Sequence, residues 1–223
     1  MYDIKPHLII GFHGCDAERR DMLLRSPNEY PISQKPYDWL GHGMYFWENN
    51  YDRALQWAHE KKERGKLKEP AVIGAVLYLG YCCDFLDTRY IQLLSRYYTI
   101  MENRYNKLGK ELPKNRDISH DRHKDRILRH LDCAAIEFMH AEIFAQVKQD
   151  IKAKNFSEYK IFDSTRGVFT EGGPAFNGAG LFEKSHIQIC IRNPNSIQGF
   201  FMPREEVDFM NWLEKNQTQQ YQA

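Results

Sequence analysis

The apolar stretch AVIGAVLYLGY, residues 71–81, decides how the rest of this chain can fold. It is rich in β-branched and aliphatic residues and contains no charged side chain. Continuous hydrophobicity of this kind is typical of a strand that is buried on both faces. Even with the two cysteines that follow, the run is too short to cross a bilayer as a helix. The sequence therefore predicts a soluble protein built around a well-covered β-strand.

Shorter strand and helix signals surround this run on both sides. Further strands are predicted at residues 7–12 (HLIIGF), 159–162 (YKIF) and 186–191 (HIQICI). Helices are predicted at residues 16–25, 51–64, 88–105, 127–154 and 209–215. Asp16 and Asn50 precede the first two helices and suit the N-cap position. Because strands and helices do not alternate as regular βαβ units, the predicted fold class is α+β.

The charge of the chain is unevenly distributed. The 223 residues carry a net charge of only +1, which argues against binding nucleic acid by bulk charge. Residues 104–130, however, hold nine Lys/Arg and four Asp/Glu, a local charge of +5. We expect one domain over residues 1–223, with a charged helical insert at about 88–154. The basic stretch either steers RNA or DNA toward a site or forms a solvated surface.

The cysteines and the N-terminus favour a cytoplasmic protein without a membrane partner. Five cysteines, an odd number with no CxxC pair, argue against a disulfide framework and a zinc site. The N-terminal sequence has no secretory signal pattern. The histidines form no HExxH motif, and neither a P-loop nor a GxGxxG motif is present. We therefore expect no metal ion and no ATP or Rossmann-type cofactor.

Four segments combine glycine with a polar or aromatic residue beside a predicted strand. They are GFHG (11–14), GHGMYF (41–46), DSTRGVFTEGGPAFNGAG (163–180) and SHIQICI (185–191). Glycine allows the backbone to come close to a ligand, so that its N–H and C=O can bind an amide or a phosphate. Turns use glycine for the same conformational freedom, so each segment alone is weak evidence.

Taken in this order, the four segments resemble the ADP-ribosyltransferase superfamily. The similarity is greatest to its poly(ADP-ribose)-polymerase-like and diphtheria-toxin-like branch, whose signature is His, Tyr and a third, usually acidic, residue. It covers residues 8–60 and 160–200. The resemblance implies an ADP-ribosyltransferase-like fold with a split antiparallel β-sheet and NAD as a substrate. It also implies cleavage of the nicotinamide–ribose bond, with positive charge developing on the ribose.

The resemblance assigns the NAD contacts residue by residue. His13 matches the histidine that hydrogen-bonds the adenosine-side ribose, and Gly14 matches the glycine whose peptide groups hold the nicotinamide amide. Tyr45 matches the tyrosine that stacks on the nicotinamide ring. A second aromatic residue is expected at Gln56 or Trp57, and Trp57 is the better choice. Trp57 suits core packing on its helix equally well.

The third residue of the signature departs from the family pattern. His186 and Gln188 share one face of their strand by its period of two, and we place the catalytic position at Gln188, with His186 as the alternative. An amide can orient a ribose but cannot stabilise its positive charge as a carboxylate does. Glu171 or Glu183 could supply a carboxylate from the preceding loop, or each could be a solvated loop charge.

Two further roles follow from the resemblance. Arg166 is expected either to bind the NAD pyrophosphate or to pair with Asp163. The glycine-rich stretch 172–180 lies where the family has its target-recognition loop, which would present Phe176 and Asn177 to an acceptor.

The resulting hypothesis is an NAD-dependent mono-ADP-ribosyltransferase with a macromolecular acceptor, either protein or nucleic acid. Small bacterial members of the superfamily act as toxins or anti-phage effectors, so the resemblance also implies a neutralising antitoxin protein as a partner. Two alternatives stay open: a module that binds NAD or ADP-ribose without turnover, and a relative of NAD-dependent RNA 2′-phosphotransferases.

Overall fold

The structure, a computed structural model, describes residues 4–119 and 121–220. The strands are β1 (Ile4–Asp16), β2 (Met44–Glu48), β3 (Pro70–Asp84), β4 (Ser164–Phe169), β5 (His186–Ile191) and β6 (Ile197–Phe201). The α-helices are α1 (Ala17–Arg25), α2 (Tyr51–Glu63), α3 (Thr88–Lys107), α4 (His130–Lys154) and α5 (Phe209–Gln220). The predicted α+β class is confirmed.

The strands form a six-stranded sheet in the order β1–β2–β5–β4–β3–β6, and β1 also pairs with β3. The strands β1, β2, β5, β4 and β3 therefore form a closed ring, and β6 pairs with β3 outside this ring. The expectation of an antiparallel sheet is wrong at one place, because β3 and β4 run parallel from Cys82–Ser164 to Asp84–Arg166. Parallel neighbours need a crossover connection, and α3 and α4 supply it between these two strands.

β3 is the buried strand that the sequence predicts. It pairs with β1 on one side and with β6 and then β4 on the other. Ile73, Leu77 and Leu79 on β3 are fully buried in the main core, together with Phe46 and Ile189 from the neighbouring strands. The rest of the sheet is thus organised around this strand.

The helices begin where the cap residues predict. The Asp16 side chain accepts a hydrogen bond from the backbone N–H of Glu18 (3.4 Å), and Asn50 accepts one from Arg53 (3.0 Å). α3 and α4 pack against each other over the second half of β3. Within the described residues, none of the helices is long and apolar enough to cross a membrane.

The strand predicted at residues 159–162 is wrong, and β4 begins two residues later, at Ser164. Phe162 is buried because its ring stacks on Tyr81 at 4.5 Å. Ser164 is polar but fully buried, since its hydroxyl donates to the Leu79 carbonyl (2.7 Å). Tertiary hydrogen bonding therefore lets a polar segment form the strand.

Candidate active site

A gap opens between β1 and β2 at the position of the GFHG segment. The ladder between these strands ends at the Phe12–Trp47 pair. The Ile10 carbonyl accepts a hydrogen bond from the Asn49 N–H (2.9 Å), which marks the side of β1 that faces β2. Peptide directions alternate along a strand, so the N–H and C=O of Gly14 point to the same side, beyond the end of the ladder. The β1–β2 ladder therefore leaves this backbone edge unpaired, although Gly14 itself is buried under α2.

His13 lies at the gap and is held in one tautomer. Its Nδ1 is 2.8 Å from the Tyr45 carbonyl oxygen, which can only accept, so Nδ1 carries the proton and donates it. Burial lowers the pKa of His13, so the ring is neutral at pH 7. The Nε2 atom is then a hydrogen-bond acceptor that suits a hydroxyl group.

The Tyr45 hydroxyl is engaged by the turn that precedes β2. It donates to the Gly41 carbonyl (2.8 Å) and accepts from the Leu40 N–H (2.9 Å). Gly41 has a φ of +82°, which favours glycine and explains the glycine turn of this segment. Burial raises the pKa of Tyr45 well above its usual value. The half-buried ring, rather than the hydroxyl, is therefore the part that can contact a ligand.

α2 forms the wall of the gap beside Gly14. A Cβ atom at Gly14 would collide with the Ala54 carbonyl oxygen and lie 3.2 Å from the Trp57 ring. Trp57 is half-buried and packs on Trp47 at 5.5 Å between ring centroids. The Lys61 ammonium lies 4.8 Å from the Trp57 ring centre, and burial lowers its pKa to about 8. No motif in the sequence marks this cation.

Gln188 lies on the same sheet face as Trp47, because β2 and β5 pair these two residues directly. Its Oε1 accepts a hydrogen bond from Trp39 Nε1 (2.6 Å), and only 9% of the residue is exposed. The Trp39 indole also covers Gly167, where an added Cβ would lie 2.9 Å from its ring. The Trp39 hydrogen bond uses one of the two lone pairs of this oxygen, and the –NH₂ group of Gln188 can donate to a ligand.

Three buried side chains near Gln188 carry polar atoms without hydrogen-bond partners among the described residues: Trp47 Nε1, Arg53 Nε and Nη1, and His186 Nε2. His186 Nδ1 donates to the Lys184 carbonyl (2.6 Å), and burial lowers the pKa of its ring to about 4. Arg53 forms an ion pair with Glu171 through Nη2. Buried polar atoms need partners, so this cluster can hold a small polar group.

Arg166 lies on the opposite face of the sheet. Gly167 pairs with Gln188, so Arg166 points away from the Gln188 side. Its guanidinium binds Glu48 (2.6 and 2.9 Å) and Asp84 (3.1 and 3.3 Å), and the Glu48 hydrogen bonds raise its pKa. The structure therefore does not bring Arg166 together with the other predicted NAD contacts.

Asp163, the partner that the alternative prediction gives to Arg166, forms hydrogen bonds with other residues. It accepts hydrogen bonds from the Tyr81 N–H (2.8 Å) and the Asn193 side chain (2.6 Å). The predicted pairing of Arg166 with Asp163 is therefore wrong, although an ion-paired structural arrangement is observed.

The loop between β4 and β5 folds into a small hairpin, residues 172–184, which we call the glycine hairpin. Its arms are joined by the Pro174–Phe182 bridge and by the hydrogen bond from Ala175 N–H to the Leu181 carbonyl (2.8 Å). Phe176, at its tip, is 67% exposed, and Leu181, on one arm, is 71% exposed. The hairpin thus presents apolar side chains to solvent next to β5.

Sequence reasoning thus finds two pairs at the β1–β2 gap, namely Gly14 next to the Trp57 ring and His13 on the Tyr45 carbonyl. It misses Trp39, Arg53 and Lys61, whose contacts depend on the tertiary structure. Of these three residues, only Arg53 could have been identified from a sequence pattern, because it is a charged residue next to the apolar positions of α2. Within the part of the chain that the structure describes, no group of three His, Cys, Asp or Glu side chains could hold a metal ion.

Comparisons with known proteins identify no relative. No model of a protein family matches the chain, and neither the curated proteins nor the solved structures give a match. The assignment of a function therefore depends on the residues and the geometry described above.

Proposed function

We propose that this protein is an NAD-dependent ADP-ribosyltransferase that transfers ADP-ribose to a macromolecular acceptor. The observation that carries the proposal is the unpaired peptide edge of Gly14 at the β1–β2 gap, bordered by His13, Tyr45 and Trp57. A carboxamide needs one donor and one acceptor side by side, and a strand residue with free N–H and C=O groups provides both.

Each residue at the gap contacts a different part of NAD. The Gly14 N–H donates to the nicotinamide carbonyl, and the Gly14 carbonyl accepts from the nicotinamide –NH₂. The rings of Tyr45 and Trp57 stack on the nicotinamide. His13 Nε2 accepts a hydrogen bond from a ribose hydroxyl, and Lys61 supplies positive charge for the pyrophosphate in place of Arg166.

The reaction breaks the bond between ribose C1′ and the nicotinamide nitrogen. The bonding electrons leave with nicotinamide, and positive charge spreads over C1′ and the ring oxygen of the ribose. Gln188 orients the ribose through its –NH₂ group, while Glu171, held by Arg53, supplies the carboxylate that stabilises this charge. A nucleophilic atom of the acceptor then bonds to C1′ and loses its proton.

A second candidate function is an NAD-binding module without turnover. The observation that favours it is the amide at position 188, whose oxygen Trp39 occupies. In that case the cleft would bind NAD and release no nicotinamide.

The test measures nicotinamide release from NAD by chromatography for the wild type, Trp57→Ala and Trp57→Phe. Stacking of a ring is worth about 1–3 kcal/mol, so Trp57→Ala should raise KM for NAD roughly 5- to 150-fold, and Trp57→Phe should restore most of the loss. Trp212→Ala is the matched control, because Trp212 is 51% exposed on α5.

The outcomes separate the two candidates. Nicotinamide release that Trp57→Ala weakens supports the transferase, and calorimetric binding of NAD without any release supports the binding module. The absence of both binding and release overturns the proposed function.

A further inference from the structure

The segment between α3 and α4 contains a closed loop, residues 116–119 and 121–128, which we call the basic loop. Arg116 and Leu128 join its two ends through a pair of backbone hydrogen bonds (2.9 and 3.0 Å). The side-chain oxygen of Asn115 accepts from the Leu131 N–H (2.8 Å), which attaches the loop to the start of α4. The basic loop is therefore a defined element of the surface.

The carboxylates of the basic loop serve its backbone. Asp117 accepts from the Arg126 N–H (2.8 Å), and Asp121 accepts from the Asp125 N–H (2.7 Å). Asp125 accepts from the Gly172 N–H (2.8 Å) at the base of the glycine hairpin. The acidic residues that interrupt the basic run in the sequence therefore act as internal acceptors.

The basic side chains of the same loop point to solvent. Arg116, Arg122, Lys124 and Arg126 are exposed, and within the described residues none of them forms an ion pair. The lysines at the end of α3 and just after it are exposed as well, at positions 107, 110 and 114. Residues 107–126 hold seven Lys/Arg and four Asp/Glu, so this surface has a net positive charge.

The basic loop and the glycine hairpin are neighbours. Besides the hydrogen bond from Gly172 to Asp125, the His123 ring packs directly on the Cα of Gly173. Arg129, just after the loop, lies 5.0 Å from the ring centre of Phe169 at the end of β4. The charged surface thus continues into the hairpin that carries the exposed Phe176.

We propose that the basic loop and the glycine hairpin together bind single-stranded nucleic acid, which is the acceptor of the ADP-ribose; this identification of the acceptor rests on the proposed function. The arginines and lysines would pair with the phosphates, which is the main source of affinity for a polyanion. Phe176 would stack on an unpaired base, a contact that duplex bases cannot offer because they are already stacked.

The test measures the binding of a fluorescent single-stranded oligonucleotide, as RNA and as DNA, at several salt concentrations. The variant with Arg122→Ala, Lys124→Ala and Arg126→Ala should lose at least tenfold in affinity. The slope of log affinity against log salt should become shallower by about 2, because each phosphate contact to a single strand contributes about 0.7.

The matched control removes the same charge from the opposite end of α4, with Lys148→Ala, Lys152→Ala and Lys154→Ala. It should bind nearly as the wild type does. A second variant, Phe176→Ala, should weaken binding without changing the salt slope, because stacking releases no counterions.

Each outcome bears on one proposal. Wild-type affinity in the basic-loop variant, equal losses in the lysine control, or binding only to protein or to anionic lipid vesicles overturns the inference. Nicotinamide release into water needs no acceptor, so both charge variants should retain it. Oligonucleotide binding by a wild type that releases no nicotinamide would overturn the proposed function and leave this surface as a nucleic-acid-binding site.

Discussion

At the level of single residues, hydrogen bonds within the protein determine which atoms of the site can still bind a ligand. His13 uses Nδ1 on the Tyr45 carbonyl, Tyr45 uses its hydroxyl on the preceding turn, and Gln188 gives its oxygen to Trp39. What remains is an imidazole acceptor, an aromatic ring and an amide –NH₂ group. These remaining groups suit ribose hydroxyls and a flat aromatic leaving group better than they suit a metal ion or a carboxylate.

We predict that Gln188→Glu raises the rate of nicotinamide release. The new carboxylate keeps the hydrogen bond from Trp39, since Nε1 donates to either group, and it can stabilise the positive ribose. A preorganised charge of this kind is worth on the order of 10²-fold, so an increase of about 10- to 100-fold is expected. Steady-state release of nicotinamide by the two proteins measures it.

Gln188→Met is the control for this experiment, because it keeps the chain length and removes both polar atoms. It should lower release below the wild-type rate. If Gln188→Glu and the wild type released nicotinamide equally, position 188 would not face the ribose, and the catalytic position would have to be sought elsewhere in the cleft.

At the level of elements, local sequence patterns predict what depends on local interactions. β3, β5 and the caps of α1 and α2 are confirmed because their burial pattern and their N-cap side chains lie within a few residues. β6 was missed and β4 was placed too early, because β6 depends on pairing with β3, and β4 on pairing with β3 and β5. Tertiary pairing of this kind leaves no short-range pattern.

The same reason explains which site residues the sequence could identify. Trp39 and Gln188 are separated by 149 residues, and Arg53 and Glu171 by 118, so no spacing in the sequence relates them. Arg166 is different, since a correct start of β4 would have placed it on the face opposite Gly167 by strand alternation alone.

The packing of α2 on β1 leads to a prediction about Gly14. In Gly14→Ala the new methyl group meets the Ala54 carbonyl, which belongs to the backbone and cannot rotate away. We expect a loss of about 1–3 kcal/mol in the free energy of unfolding, as for other overpacked sites, together with weaker NAD binding. Urea denaturation and calorimetry measure the two effects.

Gly199→Ala on β6 is the matched control, because nothing lies within 4 Å of the added methyl group. It should leave both quantities nearly unchanged. Equal stability of the two variants would show that α2 can move away from β1 at no cost, contrary to the close approach seen here.

At the level of the whole molecule, three histidines with lowered pKa values belong to three different elements of the fold. His13 lies on β1, His140 on α4 and His186 on β5, and burial lowers the pKa of each, to about 3 for His140 and about 4 for His186. His140 and His186 are 8% and 6% exposed, and His13 is half-buried. Folding therefore requires neutral histidines across the molecule.

This requirement predicts that acid destabilises the protein. In the unfolded chain a histidine has a pKa near 6.5, so below that pH the unfolded state binds protons that the folded state does not. Stability is complete above about pH 6.5 and falls as the pH decreases toward 4, by up to about 1.4 kcal/mol per pH unit for each buried histidine. Urea denaturation between pH 7.5 and 5 should show this slope.

The variant His140→Leu should make the slope shallower by the contribution of one buried histidine, whereas substitution of the exposed His59 by Gln should not change it. Parallel curves for the wild type and His140→Leu would mean that His140 accepts its proton without unfolding.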